Sequence, residues 1–112
     1  RWVMAYDEKL AERVRVALGH RGDVFERKMF GGIAFMLHGN MACGVLKDEL
    51  MLRLGPEAAA KSLKLKHARP MDFTGRPMTG MLYVGAEGIR TAKQLHRWLD
   101  KAEIFADSLP AK

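Results

Sequence analysis

The sequence predicts an α+β domain, with helices packed on an antiparallel sheet in the order α-β-β-β-β-α-β-α. Two patterns support this prediction. The first is a pair of apolar runs, residues 33–37 and 41–46, which meet at His38-Gly39-Asn40. Gly39 and Asn40 tolerate the positive φ that a tight hairpin requires, and a strand that is apolar on both sides belongs at the centre of a sheet. The second pattern is helical periodicity near both ends of the chain, which predicts helices that cover the sheet.

The size and charge of the chain limit what it can be. Its 112 residues suit one domain, which we expect to span 4–110, with residues 1–3 as an upstream extension. Nineteen Lys and Arg against thirteen Asp and Glu give a net charge of +6, which favours anionic partners, nucleic acid first. The single cysteine, Cys43, excludes an internal disulfide, and no apolar run approaches the ~20 residues of a membrane span. We therefore expect a cytoplasmic protein.

The first predicted element is a helix over residues 7–18. Leu10, Val14 and Leu18 recur four residues apart, which places them on one face of a helix. Asp7 stands at the start of this stretch, where the helix dipole favours an anion. The apolar face predicts that this helix packs against the sheet.

A strand over residues 24–29 follows. It alternates imperfectly and carries charged side chains on both faces, a mixture typical of an edge strand. Gly31 and Gly32 then interrupt the apolar run before the central hairpin. Two glycines at such a point indicate a tight turn or a bulge, and Gly39 is the expected turn residue of the hairpin itself.

The middle of the chain predicts a fourth strand and a short second helix. Residues 50–54 alternate, with three leucines on one face and Met51 with Arg53 on the other. Pro56 suits the first turn of a helix that continues to Leu63. The four strands to this point are predicted to form an antiparallel meander.

The last third predicts a loop, a strand and a long helix. Residues 64–78 contain two prolines and a glycine without a steady period and read as a long ordered loop, followed by a fifth strand over 80–84. Thr91 is a good N-cap for the third helix, which ends near Leu109. Its predicted buried stripe consists of Leu95, Trp98, Leu99, Ala102, Phe105 and Ala106.

Residues suited to catalysis or metal binding are scarce. Ser62 and Ser108 lack the glycine-flanked turn of a nucleophilic serine, and Cys43 lies mid-strand among apolar neighbours, where a thiol behaves as a small hydrophobe. The histidines are scattered, without metal-ligand spacing: His20, His38, His67 and His96. No catalytic residue, cofactor or metal is therefore expected.

The clearest charge feature is a basic segment in the second half of the chain. No acidic residue occurs between Glu57 and Asp72, while basic residues are frequent from residue 61 to residue 76. Such a segment is either a solvated surface or a patch that binds anions, including nucleic-acid phosphates. Its members are Lys61, Lys64, Lys66, Arg69 and Arg76.

Two further features bear on function. Arg53 shares its strand face with Met51, and Asp72 stands between Met71 and Phe73, so that both charges are expected to be partly buried and paired with each other. A cleft at this pair would favour a small enzyme. The eight methionines suit core packing, although a partly exposed methionine face can also bind partners adaptably.

Several motifs together resemble the N-terminal domain of the TfoX/Sxy competence-regulator family. The resemblance extends from about Met4 to Pro110 and is most specific in Met-Phe-Gly-Gly and in the Asp-Phe-Thr-Gly-Arg-Pro-Met stretch. The residues that carry it are Lys28-Met29-Phe30-Gly31-Gly32, Gly39-Asn40-Met41, Leu50-Met51-Leu52-Arg53, Met71-Asp72-Phe73-Thr74-Gly75-Arg76-Pro77-Met78 and Tyr83-Val84.

The resemblance implies an α+β fold similar to that of secretion chaperones, and no catalytic residues. Full-length members of that family are bacterial regulators of natural competence that act on transcription together with a cyclic-AMP receptor protein, and they carry a second, helical C-terminal domain. We expect this chain to be a stand-alone version of the N-terminal domain.

We therefore predict a non-enzymatic regulatory module that acts through protein contacts, including contacts with the transcription machinery. Direct but weak nucleic-acid binding through the segment 61–76 is the alternative, and a small enzyme with a cleft near Arg53 and Asp72 is the third interpretation. A homodimer is compatible with these expectations, whereas a membrane partner is not expected.

Overall fold

The computed structural model describes residues 6–29, 31–71 and 78–112, and it has the predicted α+β architecture. Three helices pack on a six-stranded antiparallel sheet. In chain order the elements are α1 (Glu8–Ala17), β1 (Val24–Met29), β2 (Gly32–Leu37), β3 (Asn40–Leu46), β4 (Glu49–Arg53), α2 (Pro56–Ser62), β5 (Ala68–Pro70), β6 (Met81–Val84), a 3₁₀ turn (Ala86–Ile89) and α3 (Ala92–Asp107).

The order of strands across the sheet is β1-β2-β3-β4-β6-β5, and every neighbouring pair is antiparallel. The first four strands form the predicted meander, and β1 lies at an edge as its mixed charges indicate. The β2–β3 hairpin lies inside the sheet, with β1 on one side and β4 on the other.

The turn of this hairpin differs by one residue from the prediction. Positive φ occurs at His38 (37°) and Gly39 (89°), which are the two central residues of a tight turn whose flanking pair is Leu37 and Asn40. Asn40 is therefore not a turn residue. It begins β3, is buried, and donates from Nδ2 to the carbonyl oxygen of Pro110 at 2.9 Å.

A second difference is β5, a three-residue strand inside the stretch predicted to be a loop. It pairs with β6 through the register Ala68–Val84, Arg69–Tyr83 and Pro70–Leu82. Pro70 is compatible with this strand because β5 lies at the edge of the sheet. Proline has no N–H group to donate, and within the described residues no strand lies on the outer side of β5 to accept such a hydrogen bond. The strand that was predicted to be the fifth is thus the sixth.

One face of the sheet carries the main hydrophobic core. Helix α3 packs across β2, β3 and β4, and α1 packs on the same core. The predicted stripes are buried there, except that Phe105 is only half-buried. The buried residues of the two helices are Leu10, Ala11, Val14, Ala17, Leu95, Trp98, Leu99, Ala102 and Ala106.

The opposite face of the sheet holds a smaller cluster built mainly from methionine. Met51, Met71, Met81 and Tyr83 are buried together, with half-buried Met41 and Leu46 against them. Met71 follows β5 directly, and its carbonyl oxygen accepts a hydrogen bond of 2.7 Å from the backbone N–H of Met78. Residues before and after the stretch 72–77 are thereby held together beside the sheet.

Candidate functional site

The basic segment predicted from the sequence is divided between two surfaces. Lys61, Lys64 and Lys66 are exposed on or just after α2. Arg69 lies on β5 instead, where its guanidinium stands 4.5 Å from the centre of the Tyr83 ring and its Nε donates to Glu49 at 3.2 Å. Arg69 is therefore already neutralised by a carboxylate, and Arg76 lies outside the described residues.

Lys66 lines a groove between the α2–β5 connection and α3. The groove has a volume of about 290 Å³. One wall is formed by residues 65–67 with Gly88, and the other by one face of α3. The α3 residues that line it are Gln94, Arg97, Trp98 and Lys101. We call this feature the basic groove.

The shape of the basic groove depends on the close packing of Gly88 against His67 and on the buried hydroxyl of Ser62. A Cβ atom on Gly88 would lie only 2.8 Å from the Cβ of His67, so the glycine allows the 3₁₀ turn to lie against that wall. On the other wall, the Nζ of Lys101 stands 5.2 Å from the centre of the Trp98 ring and donates to Ser62 Oγ at 3.1 Å. Ser62 is buried, so the ammonium group of Lys101 is held in place by a neutral partner.

The charge of the basic groove is positive. No acidic side chain is among the described residues that line it. Within the ranges 6–29, 31–71 and 78–112, neither Lys66 nor Arg97 nor Lys101 forms an ion pair with a carboxylate. The sequence interpretation included Lys66 but missed Arg97 and Lys101. Their four-residue spacing on α3 is a signal for one shared helix face.

A second candidate surface lies on the sheet face opposite the helices. Phe25, Met36 and Met41 are cross-strand neighbours on β1, β2 and β3. Phe25 is 60% exposed, and both methionines are half-buried. Arg27 lies 6.0 Å from the centre of the Phe25 ring. We call Phe25, Met36 and Met41 the apolar row.

Arg53 lies near the apolar row at the end of β4. Its Nη1 donates to the carbonyl oxygen of Met41 at 3.5 Å, and its guanidinium is 5.5 Å from the centre of the Phe105 ring. Asp72, the partner predicted from the sequence, lies outside the described residues. The Arg53–Asp72 pair therefore stays a prediction.

The predicted turn glycines occupy positions with distinct constraints. Gly31 has a φ of 78° and Gly39 one of 89°, in the left-handed region that favours glycine. Gly32 begins β2 beside β3, and a Cβ atom there would lie 2.4 Å from the carbonyl oxygen of Val45. These residues shape the sheet and lie outside the basic groove.

A cluster of charged residues joins the turn after α1 to the end of α3. Arg21 donates to Asp23, Glu103 and Asp107 at distances of 2.7–3.2 Å. Its guanidinium holds the pKa of Asp23 down to about 2 and lowers the pKa of Asp107 as well. The Nε2 atom of His38 lies 2.7 Å from the carbonyl oxygen of Ala106. Because a carbonyl oxygen can only accept a hydrogen bond, Nε2 is the donor. This cluster joins the segment between α1 and β1 to the C-terminal part of α3.

The cysteine and the potential metal ligands of the described residues bear on what chemistry the chain can carry out. Cys43 is buried, and desolvation raises the pKa of its thiol to about 12, so that the thiolate needed for nucleophilic chemistry is suppressed. Across the described part of the chain, no group of three or more His, Cys, Asp and Glu is placed to hold a metal ion. None of the described helices has the length and apolar composition needed to cross a membrane.

Comparison with known proteins identifies the family. A search of curated proteins finds no match to this sequence. The sequence model of the TfoX N-terminal domain matches residues 16–106, from the last turn of α1 to the last turn of α3. The match spans all six strands and therefore both candidate surfaces. The chain belongs to the TfoX N-terminal domain family.

Proposed function

We propose that this chain is a non-enzymatic, competence-regulator-like module of the cytoplasm that binds a protein partner through the apolar row. Family membership supports the regulatory class of function. The observation that supports a protein partner is Phe25, whose ring is 60% exposed on the sheet face opposite the helices. Aromatic and methionine side chains supply large apolar contact area at protein interfaces.

The composition of the apolar row suits a partner segment with apolar side chains. Met36 and Met41 extend the surface of Phe25 across two further strands. Methionine is flexible and polarisable, so such a surface adapts to the shape of the residues it meets. The row adjoins the buried methionine cluster, because Met41 packs against that cluster.

The charges beside the apolar row favour an acidic partner segment. Arg27 and Arg53 flank the row, and the carboxylate of Glu49 on the same sheet face is paired with Arg69. A segment that combines apolar side chains with Asp or Glu would therefore meet complementary groups at the row. Components of the transcription machinery that carry such segments are the partners we propose.

Site-specific photocrosslinking in cells that naturally express the protein tests this proposal. A photoreactive phenylalanine analogue at position 25 should crosslink to a specific protein, and the product should survive nuclease treatment. The matched control carries the analogue at Ile104, which is 72% exposed on α3. Because Ile104 is similarly apolar and exposed but lies on the helix side, it should not give the same product.

The crosslinked protein is then purified and titrated with the chain. Met36→Glu should weaken binding by about tenfold, because a carboxylate in the row repels an acidic segment and costs apolar contact. Ile104→Glu should leave binding unchanged. Capture of the same protein from both positions, loss of the product after nuclease treatment, or equal binding by both variants would refute the proposal.

Direct nucleic-acid binding is the second candidate function. The exposed ammonium groups of Lys61, Lys64 and Lys66 support it. Binding through these residues would be weak, on the order of 10⁻⁴–10⁻⁶ M near physiological salt, and would fall steeply with salt as counterions are released. Charge reversal at Lys64 and Lys66 should then weaken binding to all sequences alike, because phosphate contacts carry no sequence information. A tight, sequence-selective complex with duplex DNA would favour this function over the protein-binding module.

A further inference from the structure

We propose that the basic groove binds a small phosphorylated ligand through its phosphate monoester. The groove is a separate feature from the apolar row, since it is formed by residues 65–67, Gly88 and α3. It is a concave site at which Lys66 converges with Arg97 and Lys101 from a different element. A ligand bound there would contact the α2–β5 connection and α3 at the same time.

The charge of the groove fits a dianion. Lys66 contributes a positive charge from one wall, and Arg97 and Lys101 contribute from the other. Since none of the described lining residues is acidic, this positive charge is not neutralised within the groove. A phosphate monoester carries nearly two negative charges at neutral pH and offers three acceptor oxygens, which suits several converging donors.

The position of Lys101 is the most specific sign of a built site. Its Nζ donates to the buried hydroxyl of Ser62 and stands over the Trp98 ring, so the side chain is held in the groove before any ligand arrives. Two of the three ammonium hydrogens remain for other acceptors. Because the side chain is already ordered, a ligand that binds it loses less conformational entropy.

The dimensions of the groove favour a small molecule over a nucleic acid. Its volume of about 290 Å³ is close to the lower end of small-ligand sites. Trp98 is 7% exposed and has Lys101 over its ring, so it offers no open face on which bases could stack.

Nuclear magnetic resonance titration with phenyl phosphate and with inorganic phosphate tests this inference. Both probes should produce saturable shifts of the Trp98 indole N–H and of the backbone amides of residues 65–67, 97 and 101. Phenol, which lacks the phosphate, and sodium chloride at matched ionic strength should not. A short single-stranded oligonucleotide, whose phosphates are diesters, should bind more weakly than phenyl phosphate per phosphate group.

Paired charge-neutralising variants locate the binding site. Lys66→Gln combined with Arg97→Gln should weaken phenyl phosphate binding by about tenfold or more, because two charge-assisted contacts are lost. The matched control combines Lys61→Gln with Lys93→Gln, which removes the same charge from exposed residues outside the groove lining. It should change the affinity by less than about twofold, the effect of long-range charge alone at physiological salt.

The backbone amide spectrum of each variant, recorded without ligand, is the check that the fold is retained. The absence of saturable shifts with both phosphate probes would overturn the inference. So would equal weakening in the two double variants, or binding of the oligonucleotide alone. Because none of these variants alters the apolar row, the protein-binding proposal can fail or stand independently of this result.

Discussion

Arg21 donates a hydrogen bond of 2.7 Å from Nη2 to Oδ1 of Asp107, which ties the turn after α1 to the end of α3. The same guanidinium bonds Asp23, which stands just before the first strand, at 2.8 and 2.9 Å. Arg21 therefore connects the segment between α1 and β1 to the end of α3, 86 residues later in the chain. Its side chain is 14% exposed, so these bonds are better shielded than those of an ordinary surface pair.

We expect this cluster to make stability depend on acid pH. The pKa of Asp23 is lowered from 3.8 to about 2 in the folded protein, and the pKa of Asp107 is lowered as well. A carboxyl group whose pKa is depressed by folding stabilises the protein above its unfolded pKa, and this contribution disappears as pH falls through the folded value. The contribution of Asp23 should therefore be complete above about pH 4 and lost near pH 2.

Urea unfolding of Asp107→Asn at pH 7 and in the acid range measures the contribution of the second carboxylate. The substitution should lower the free energy of unfolding at pH 7 by roughly 0.5–1 kcal/mol, a small value because Asp107 is largely exposed. The difference from the unsubstituted protein should shrink in acid. Asp100→Asn, on the same helix and outside the cluster, is the control. Equal effects of the two substitutions at pH 7 would show that the Arg21–Asp107 ion pair does not contribute to stability.

Gly32 should tolerate no side chain. Because a Cβ atom there would lie 2.4 Å from the carbonyl oxygen of Val45, either β2 or β3 must move when Ala replaces it. Gly32→Ala should destabilise the protein by about 1–3 kcal/mol, the usual cost of overpacking. Gly22→Ala is the matched control, since a Cβ atom at that position meets nothing within 4 Å. Similar thermal midpoints for the two variants would show that the strands separate freely at this point.

Cys43 should be unreactive in the folded protein. Its thiol is buried, and desolvation raises its pKa to about 12, so almost no thiolate exists near neutral pH. A thiol-specific disulfide reagent should therefore modify it only as fast as the protein unfolds, and rapidly in denaturant. Stoichiometric labelling within the mixing time under native conditions would indicate an accessible thiol and reopen the question of a chemical role.

Arg53 has two candidate interactions that double-mutant cycles can separate. The first interaction is with Phe105, whose ring centre is 5.5 Å from the Arg53 guanidinium. A coupling free energy of about 0.5–1 kcal/mol is expected for such a contact. The one predicted from the sequence is with Asp72, and Arg53→Ala with Asp72→Ala should then cost less than the sum of the single changes. Additive effects with Asp72 but coupling with Phe105 would remove the basis for a cleft and for the enzyme interpretation.

Local patterns were sufficient to predict most of the fold. The stripe on α3 and the N-cap at Thr91 depend on neighbours three and four residues apart, and both are present, with Gln94 completing a capping box. The strand β5 could not be found in this way. Its three residues include Pro70 and have no alternation, and they form a strand only because β6 offers an unpaired edge.

The candidate surfaces were harder to predict because they combine distant segments. The basic residues after α2 were recognised, but the groove also needs Arg97 and Lys101, whose approach to Lys66 depends on how α3 lies on the sheet. Similarly, the sequence places Arg69 in the basic segment, whereas its pairing with Glu49 depends on the position of β5. Charge along the sequence therefore indicated an anionic partner without indicating which cations remain available.

The two outer strands of the sheet also determine how copies of this chain can meet. β1 carries Glu26, Arg27 and Lys28 in succession, and β5 is three residues long and ends in proline. Both features oppose the addition of another strand by main-chain hydrogen bonds. At high concentration the sheets should therefore not polymerise into fibrils through their edges. Any homodimer would be held together by side chains and would leave the hydrogen-bonded ladder of each copy unchanged.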